Sequence, residues 1–203
     1  MFSRIRKKID EKFNISDRVW DIVETIMYCL AALLVAYLIV TYVGQRTVVD
    51  GQSMYNTLND GDNIIVEKLS YTFGDPERFD IIVFPHYDVT KNQDVYYIKR
   101  IIGMPGETIQ ITNGLIYLID ENGQKTRLVE EYGFYKGGLQ MYGGMAATPV
   151  TIPEGHYFVL GDNRNNSRDS RDAGVGFVKG EDIMGKAWLR FYPFDSFSFI
   201  THR

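Results

Sequence analysis

The feature that most constrains this chain is an apolar run near its N-terminus. Ile26–Val43 contains eighteen residues and no charged side chain, about the shortest run that spans the hydrocarbon core of a bilayer. A buried core helix and a cleaved secretory signal are the alternatives. Trp20, Tyr37 and Tyr42 suit the aromatic belts of a membrane interface, and no Ala-x-Ala cleavage site follows the run. The run therefore predicts an uncleaved single anchor, assigned to residues 22–43.

Basic residues are distributed unevenly about this run. Six lysines and arginines precede it, whereas only Arg46 lies in the first twenty residues that follow. Because such an excess marks the cytoplasmic side, residues 1–21 are predicted to be a cytoplasmic leader and residues 44–203 to lie outside the cell membrane. In the leader, Phe2, Ile5, Ile9 and Phe13 recur at helical spacing. This spacing fits an amphipathic helix on the inner leaflet, and a solvated leader without regular structure is the alternative.

Beyond the anchor, short β-like runs alternate with Gly, Asp and Asn. Because no helical period of useful length follows, we expect a mainly β fold: one transmembrane helix, then an all-β domain with a small inserted β subdomain at about residues 112–152. Asn113-Gly114 is a strong hairpin signal, and Asn122-Gly123 repeats it. Glu130–Pro149, rich in Gly, Tyr and Met, predicts either a mobile insertion or the edge of that subdomain. The predicted strands are Arg46–Asp50, Asn63–Leu69, Asp80–Phe84, Asp94–Ile102, Thr108–Thr112, Leu115–Asp120, His156–Leu160 and Ile183–Tyr192.

Composition argues against several function classes. The net charge of −4 gives no sign of a nucleic-acid surface. Cys29, the single cysteine, lies in the apolar run, so the outer region has neither a disulfide nor a Cys-based zinc site. None of the three histidines, His86, His156 and His202, has metal-ligand spacing or a supporting motif. We therefore expect no metal and no cofactor, and a His-based catalytic triad is weakly supported.

Two residues suggest nucleophilic chemistry. Ser53 lies ten residues beyond the apolar run, a reach of at most about 35 Å. Strand alternation places Lys99 on the same face as Tyr97 and Ile101, with Arg100 opposite. A turn serine and a lysine that extends to the sheet edge are the alternatives. A desolvated lysine has a lowered pKa and can accept a proton from a serine hydroxyl near neutral pH, but spacing alone does not decide.

A loop dense in charges and amides follows the strand that ends at Leu160. It runs from Gly161 to Asp172. A calcium loop of the EF-hand type is excluded because Arg164 occupies the third position of such a loop, where an oxygen ligand is needed. A solvated charged loop is one interpretation. The position of the loop between apolar strands favours an internally paired scaffold.

Together these segments resemble bacterial type I signal peptidases, in the Gram-positive form with one span. The resemblance extends from about Val48 to Tyr192 and is weakest over the leader and Glu130–Pro149. It implies a membrane-bound serine endopeptidase that removes N-terminal signal peptides from secretory precursor proteins after small residues, Ala-x-Ala. The matching segments, in the family's order, are Gly51–Leu58, Gly61–Lys68, Tyr97–Glu107, Gly161–Arg171 and Gly185–Ala187.

The resemblance also implies a role for each matching residue. Ser53 is the nucleophile and its backbone N–H is an oxyanion donor, Lys99 is the general base, and Ser167 orients the lysine. Gly51 stands where some members supply a second oxyanion donor, a hydroxyl. The structural loop comprises Asp162, Asn163, Arg164, Asp169 and Arg171, with Asp169 paired to Arg171. The shallow apolar substrate pockets are assigned to Val49, Met54, Leu58, Tyr97 and Ile98.

Two positions depart from the family pattern. Asn56 replaces a frequent proline, which could loosen the turn after Ser53, and Phe79 replaces a common glycine. Two other functions are compatible with parts of the pattern. Self-cleaving repressors use Ser–Lys chemistry but need no membrane span. A non-enzymatic relative in surface-fibre (pilin) assembly is the alternative function, although Ser53 and Lys99 are both present here.

Overall fold

The computed structural model describes residues 16–38, 44–88 and 92–202, which fall into two compact units, 1–43 and 44–203. In the first unit, helix α1 (Asp17–Leu38) is long and apolar enough to cross a membrane. It begins well before the uncharged run, and Asp17 in its first turn suits the positive end of the helix dipole. The end of the run, 39–43, and the predicted amphipathic helix of the leader lie outside the described residues.

The second unit consists of two β-sheets, which confirms the mainly β prediction. All eight predicted strands are present, with ends that differ by a few residues. A short helix, α2 (Ser70–Phe73), and four strands of two or three residues (β7, β8, β10 and β12 below) were not predicted. The strands are β1 (Gly44–Val48), β2 (Asn63–Glu67), β3 (Ile81–Asp88), β4 (Gln93–Gly103), β5 (Thr108–Thr112), β6 (Leu115–Ile119), β7 (Lys125–Arg127), β8 (Val150–Thr151), β9 (His156–Leu160), β10 (Val178–Lys179), β11 (Gly185–Tyr192) and β12 (Ser198–Phe199).

The larger sheet places the predicted lysine strand near its middle. Its order is β1-β2-β11-β3-β4-β9-β10, with β12 paired to β11, and the smaller sheet has the order β7-β6-β5-β8. Strands β3 and β4 form a long antiparallel hairpin in which Lys99 lies opposite Ile82 and Tyr97 opposite Phe84. Strand β4 also pairs with β9, with an irregularity between Ile101 and Gly103. Lys99 is therefore paired with β3 and directly precedes the part of β4 that also pairs with β9.

The predicted hairpin turns are present in the smaller sheet. Asn113 and Gly114 join β5 to β6 with φ values of 52° and 75°, as a two-residue type I′ turn requires. The same turn pairs Thr112 with Leu115. The Asn122-Gly123 signal falls in the connection between β6 and β7, where Gly123 has a φ of 79°.

The Gly-rich segment Glu130–Pro149 packs against the smaller sheet. It contains one turn of 3₁₀ helix, Gly144–Ala147, and a tight turn at Lys136–Gly138, where Gly137 has a φ of 66°. Met141 and Ala146 are buried in one cluster with Ile111 and Ile116 of β5 and β6. Of the two predictions for this segment, the structure therefore favours the edge of a subdomain.

Gly103, at the end of β4, lies where the two sheets meet. A Cβ at this position would stand 2.3 Å from Ile152 Cδ1 and 3.1 Å from Phe158 Cβ. Both neighbours are fully buried in the core between the sheets. A close-packed interior has no room for the added methyl group, so glycine is required here by packing.

Replacing Gly103 with alanine should therefore lower the free energy of unfolding by about 1–3 kcal/mol, as overpacking does. Gly74→Ala is the matched control, because its Cβ would meet only Ser70 O at 3.4 Å. The control should change stability by less than about 0.5 kcal/mol. Chemical denaturation of both variants in detergent checks the difference, and equal effects would contradict the packing argument.

Candidate active site

Ser53 lies on a turn between β1 and β2 that is fixed by main-chain hydrogen bonds. The N–H of Leu58 donates to the carbonyl of Met54 at 2.8 Å, which closes one helical turn. The backbone and the side chain of Asn163 donate to the carbonyls of Ser53 and Gln52, each at 3.0 Å. These two bonds attach the Ser53 turn to the loop after β9.

The N–H of Gly51 is not free to serve as a second oxyanion donor. It donates to Asp60 Oδ1 at 2.9 Å, and Gly51 has a φ of 91°. Within the described residues, the N–H of Ser53 donates to no acceptor. The Ser53 N–H is therefore available to a ligand, whereas the Gly51 N–H is committed.

Lys99 contacts Ser53 directly. Its Nζ donates to Ser53 Oγ at 2.8 Å and to the carbonyl of Ile98 at 2.8 Å. The same nitrogen lies 4.9 Å from the centroid of the Tyr97 ring, and Lys99 is only 3% exposed. The structure thus joins, in one hydrogen bond, the serine and the lysine that the sequence indicated.

Burial changes the acidity of this lysine. Desolvation lowers the pKa of Lys99 from 10.5 to about 8, while the charges of Asp169 and Asp162 act in the opposite direction. Burial wins because neither carboxylate contacts the amine: its acceptors are a hydroxyl and a carbonyl. A substantial fraction of the amine is therefore neutral at mildly alkaline pH and can accept a proton.

Arg100, on the opposite face of β4, is buried as an ion pair. Its Nε and Nη2 donate to the two oxygens of Asp162 at 2.9 and 2.7 Å. The hydroxyl of Thr57 donates to the same carboxylate at 2.5 Å, and the guanidinium lies 3.7 Å from the centroid of the Tyr132 ring. Asp162 therefore links the lysine strand, the Ser53 turn and the loop after β9.

The loop itself is paired internally. Arg171 donates through Nε and Nη2 to Asp169 at 2.8 and 2.7 Å, and the N–H of Gly161 donates to the same carboxylate at 3.0 Å. Arg164 pairs with Glu130 of the Gly-rich segment. All the acidic and basic side chains that the resemblance assigned to this loop are buried.

The hydrogen bond expected from Ser167 to Lys99 is not present. Ser167 Oγ is buried and has no hydrogen-bond partner among the described residues. It lies beside the Ser53 backbone: a Cβ built on Gly161 would be 2.2 Å from Ser167 Oγ and 2.5 Å from the Ser53 carbonyl oxygen. The role of Ser167 in orienting the lysine stays a prediction.

A cleft of about 470 Å³ opens beside Ser53 and Lys99, and it is lined by three of the predicted substrate residues, Val49, Tyr97 and Ile98. The prediction was wrong for Met54 and Leu58. Both are 0% exposed and belong to the core, because the helical turn after Ser53 directs positions four apart inward.

Sequence reasoning missed other residues of this cleft. Alternation along β4 could have identified Val95, which shares a face with Tyr97. The remainder are sequence neighbours of predicted residues, such as Val48 and Tyr96, or come from other segments of the chain that no local pattern marks. They include Val48, Val83, Asp88, Tyr96 and Arg168.

Both departures from the family pattern have positive φ values. Asn56 has a φ of 96° and Phe79 one of 74°. Proline cannot adopt the first value, and glycine adopts the second without strain. Phe79 is held there by Arg100, whose Nη1 donates to its carbonyl at 2.9 Å, and by edge-on packing against Tyr132 at 5.5 Å.

No histidine among the described residues donates to or accepts from Ser53. His156 contacts the carbonyl of Glu154, and His202 accepts from the N–H of Ile81. His86 stacks on Tyr97. Within the described part of the chain, no three His, Cys, Asp or Glu side chains form a group that could hold a metal ion.

Gly161→Ala should displace the Ser53 backbone, because the added methyl group would overlap its carbonyl oxygen. A shift of about 1 Å at a reacting group can cost about a hundredfold in rate. We expect a loss of about 10- to 100-fold in kcat for peptide hydrolysis, against little change for Gly74→Ala. Steady-state kinetics on one peptide substrate checks this. Normal turnover by a folded Gly161→Ala variant would show that the close approach is not needed.

Comparisons with known proteins match this chain to one family. The family described as "Signal peptidase, peptidase S26" matches residues 22–192. A probable signal peptidase I-2 of Synechocystis sp. is 36% identical over 178 residues, which cover 85% of this chain and 74% of that protein. The signal peptidase I of Bacillus caldolyticus is 41% identical over 180 residues, or 84% of this chain and 89% of the relative.

Among solved structures, a signal peptidase I from Enterococcus faecalis V583 is 37% identical, covers 55% of this chain and 95% of its own, and gives a TM-score of 0.41. The family match extends over most of the chain, and the relatives are matched along most of their own length. The chain belongs to the peptidase S26 family of signal peptidases.

Proposed function

We propose that this protein is a membrane-anchored serine endopeptidase that removes N-terminal signal peptides from secreted precursor proteins. Ser53 is the nucleophile and Lys99 the general base. The observation that carries the proposal is the 2.8 Å contact between Lys99 Nζ and Ser53 Oγ, made by an amine that is almost fully buried. Membership of the S26 family supports the substrate class.

The reaction follows from the positions of these groups. Neutral Lys99 takes the proton of Ser53, whose Oγ attacks the scissile carbonyl carbon and forms a tetrahedral oxyanion. The free N–H of Ser53 donates to that oxyanion. The ammonium of Lys99 then gives its proton to the leaving amine. Water, deprotonated by the same lysine, hydrolyses the acyl-enzyme and restores both residues.

The cleft supports a preference for small apolar side chains before the scissile bond. Val49, Ile98 and Tyr97 line it together with Ser53. Branched aliphatic side chains in the wall of a cleft leave shallow depressions that accept a methyl group more readily than a large side chain. This agrees with the Ala-x-Ala preference that the family resemblance implied.

The proposed enzyme is anchored in the cell membrane by α1, with its leader in the cytoplasm and residues 44–203 outside. The apolar composition of the helix and the basic residues before it support this arrangement. The alternative function in pilin assembly is not supported: the relatives are signal peptidases, and Ser53 and Lys99 are in contact.

Ser53→Ala and Lys99→Arg should each reduce cleavage by at least about a thousandfold. The first removes the nucleophile, and the second installs a guanidinium that does not deprotonate. Lys179→Arg is a matched control, because Lys179 is an exposed lysine paired with Glu181. The measurement is cleavage of a precursor with an Ala-x-Ala site, with sequencing of the new N-terminus. Near-normal turnover by a folded Lys99→Arg variant would refute the assignment of the base.

The pH dependence of cleavage should report the lysine. Because the neutral amine is the active form, kcat/KM should fall on the acid side of the Lys99 pKa of about 8. Two units below that value, the rate should be about a hundredfold lower. A pH–rate profile of the full chain in detergent checks this. A flat profile from pH 6 to pH 9 would contradict a lysine base.

The orientation can be tested with protease added to intact spheroplasts. Residues 44–203 should be digested and the basic leader spared, because the positive leader is retained on the cytoplasmic side. Antibodies to each end of the chain distinguish the fragments. Protection of the outer region would reverse the proposed topology.

A further inference from the structure

His86, Tyr97 and Lys99 lie in a row on one face of the β3–β4 hairpin. In the register of this hairpin, His86 is opposite Val95, Phe84 opposite Tyr97, and Ile82 opposite Lys99. Directly opposed residues share a face, and successive pairs alternate between faces. Tyr97 therefore lies between His86 on one side and Lys99 on the other.

The rings are close enough to position each other. The His86 and Tyr97 centroids are 4.5 Å apart with planes inclined by 32°, a tilted stack. On the other side, Lys99 Nζ is 4.9 Å from the Tyr97 centroid. Tyr97 itself is only half-buried, so the histidine ring restricts a side chain that faces solvent in the cleft.

No described hydrogen bond explains the position of His86. Its Nε2 is buried and has no hydrogen-bond partner among the described residues. Burial lowers the pKa of His86 below 6.5; Arg168 and Lys99 act in the same direction, and Asp88 and Asp172 oppose them. Where Lys99 titrates, His86 is neutral, so it acts on its neighbours by packing and not by charge.

We infer that His86 is a positioning residue that holds the Tyr97 ring against Lys99 and so keeps water from the amine. The inference rests on the proposed function, since it concerns the base of that reaction. His86 touches neither Ser53 nor the reacting lysine in any described hydrogen bond, and acts through Tyr97.

Tyr97 has two opposing effects on the amine. The face of the ring attracts an ammonium, which favours the charged form. Exclusion of water favours the neutral form, and burial brings the pKa of Lys99 to about 8 even though Asp169 and Asp162 oppose it. Desolvation is the dominant influence on the pKa of Lys99, so admitting water by releasing the ring should raise this pKa and leave less neutral amine.

The test is the acid limb of kcat/KM, measured on one peptide substrate with the full chain in detergent. His86→Ala should move this limb to higher pH by about half a unit, which is about a threefold loss at pH 7. His86→Phe should keep the limb in place, because it retains a stacking ring without the buried polar atom. His156→Ala is the matched control, since His156 lies outside the cleft.

A double-mutant cycle tests the route through Tyr97. In a Tyr97→Leu background, His86→Ala should give no further shift of the limb, because residues that act as one unit are not additive. If His86→Ala does not fold, His86→Leu is measured instead. Leucine fills the volume of the histidine but has no flat ring to stack on Tyr97, so the limb should again move to higher pH.

An unmoved limb in His86→Ala or His86→Leu would overturn the inference, and so would an additive shift in the Tyr97→Leu background. Failure of the proposed function gives a different result: the wild type would not cleave the peptide, or Ser53→Ala would still cleave it. The two failures are therefore distinguishable.

Discussion

The buried ion pair between Arg100 and Asp162 is the interaction on which the site depends. Each partner of the pair is next in sequence to a residue of the site. Arg100 follows Lys99, and Asp162 precedes Asn163, whose backbone and side chain bind the Ser53 turn. Breaking such a pair by removing one partner costs about 3–5 kcal/mol, because the other charge stays buried. Through this pair, the strand that carries Lys99 and the turn that carries Ser53 are kept at a fixed distance from each other.

Strand β4 buries two adjacent cations, and their chemistry differs. A guanidinium does not lose its proton, so Arg100 requires a carboxylate, and Asp162 supplies both oxygens. Lys99 has neutral acceptors only, and burial lowers its pKa. The same degree of burial thus gives one permanently charged structural residue and one residue that can exchange a proton.

Much of this arrangement could be predicted from sequence, because it depends on local pattern. Short β-like runs broken by Gly, Asp and Asn predicted the eight longer strands, strand alternation predicted the face of Lys99, and Asn113-Gly114 predicted the hairpin. The short strands β7, β8, β10 and β12 have two or three residues and exist only through their partners. Met54 and Leu58 were misplaced because a single helical turn, which is too short to show a period, directs them inward. The stacking of His86 depends on the register of two strands, and composition does not reveal it.

The left-handed backbone at Asn56 has a consequence for exchanging sequence between members of the family. A φ of 96° is closed to proline, so the turn after Ser53 differs in backbone course from one built around the family's common proline. A consensus substitution at this single position would not reproduce the other turn; it would oppose the local chain path beside the nucleophile. The unit that can be transferred between relatives is therefore the whole turn with its Asn163 contacts, and not the individual residue.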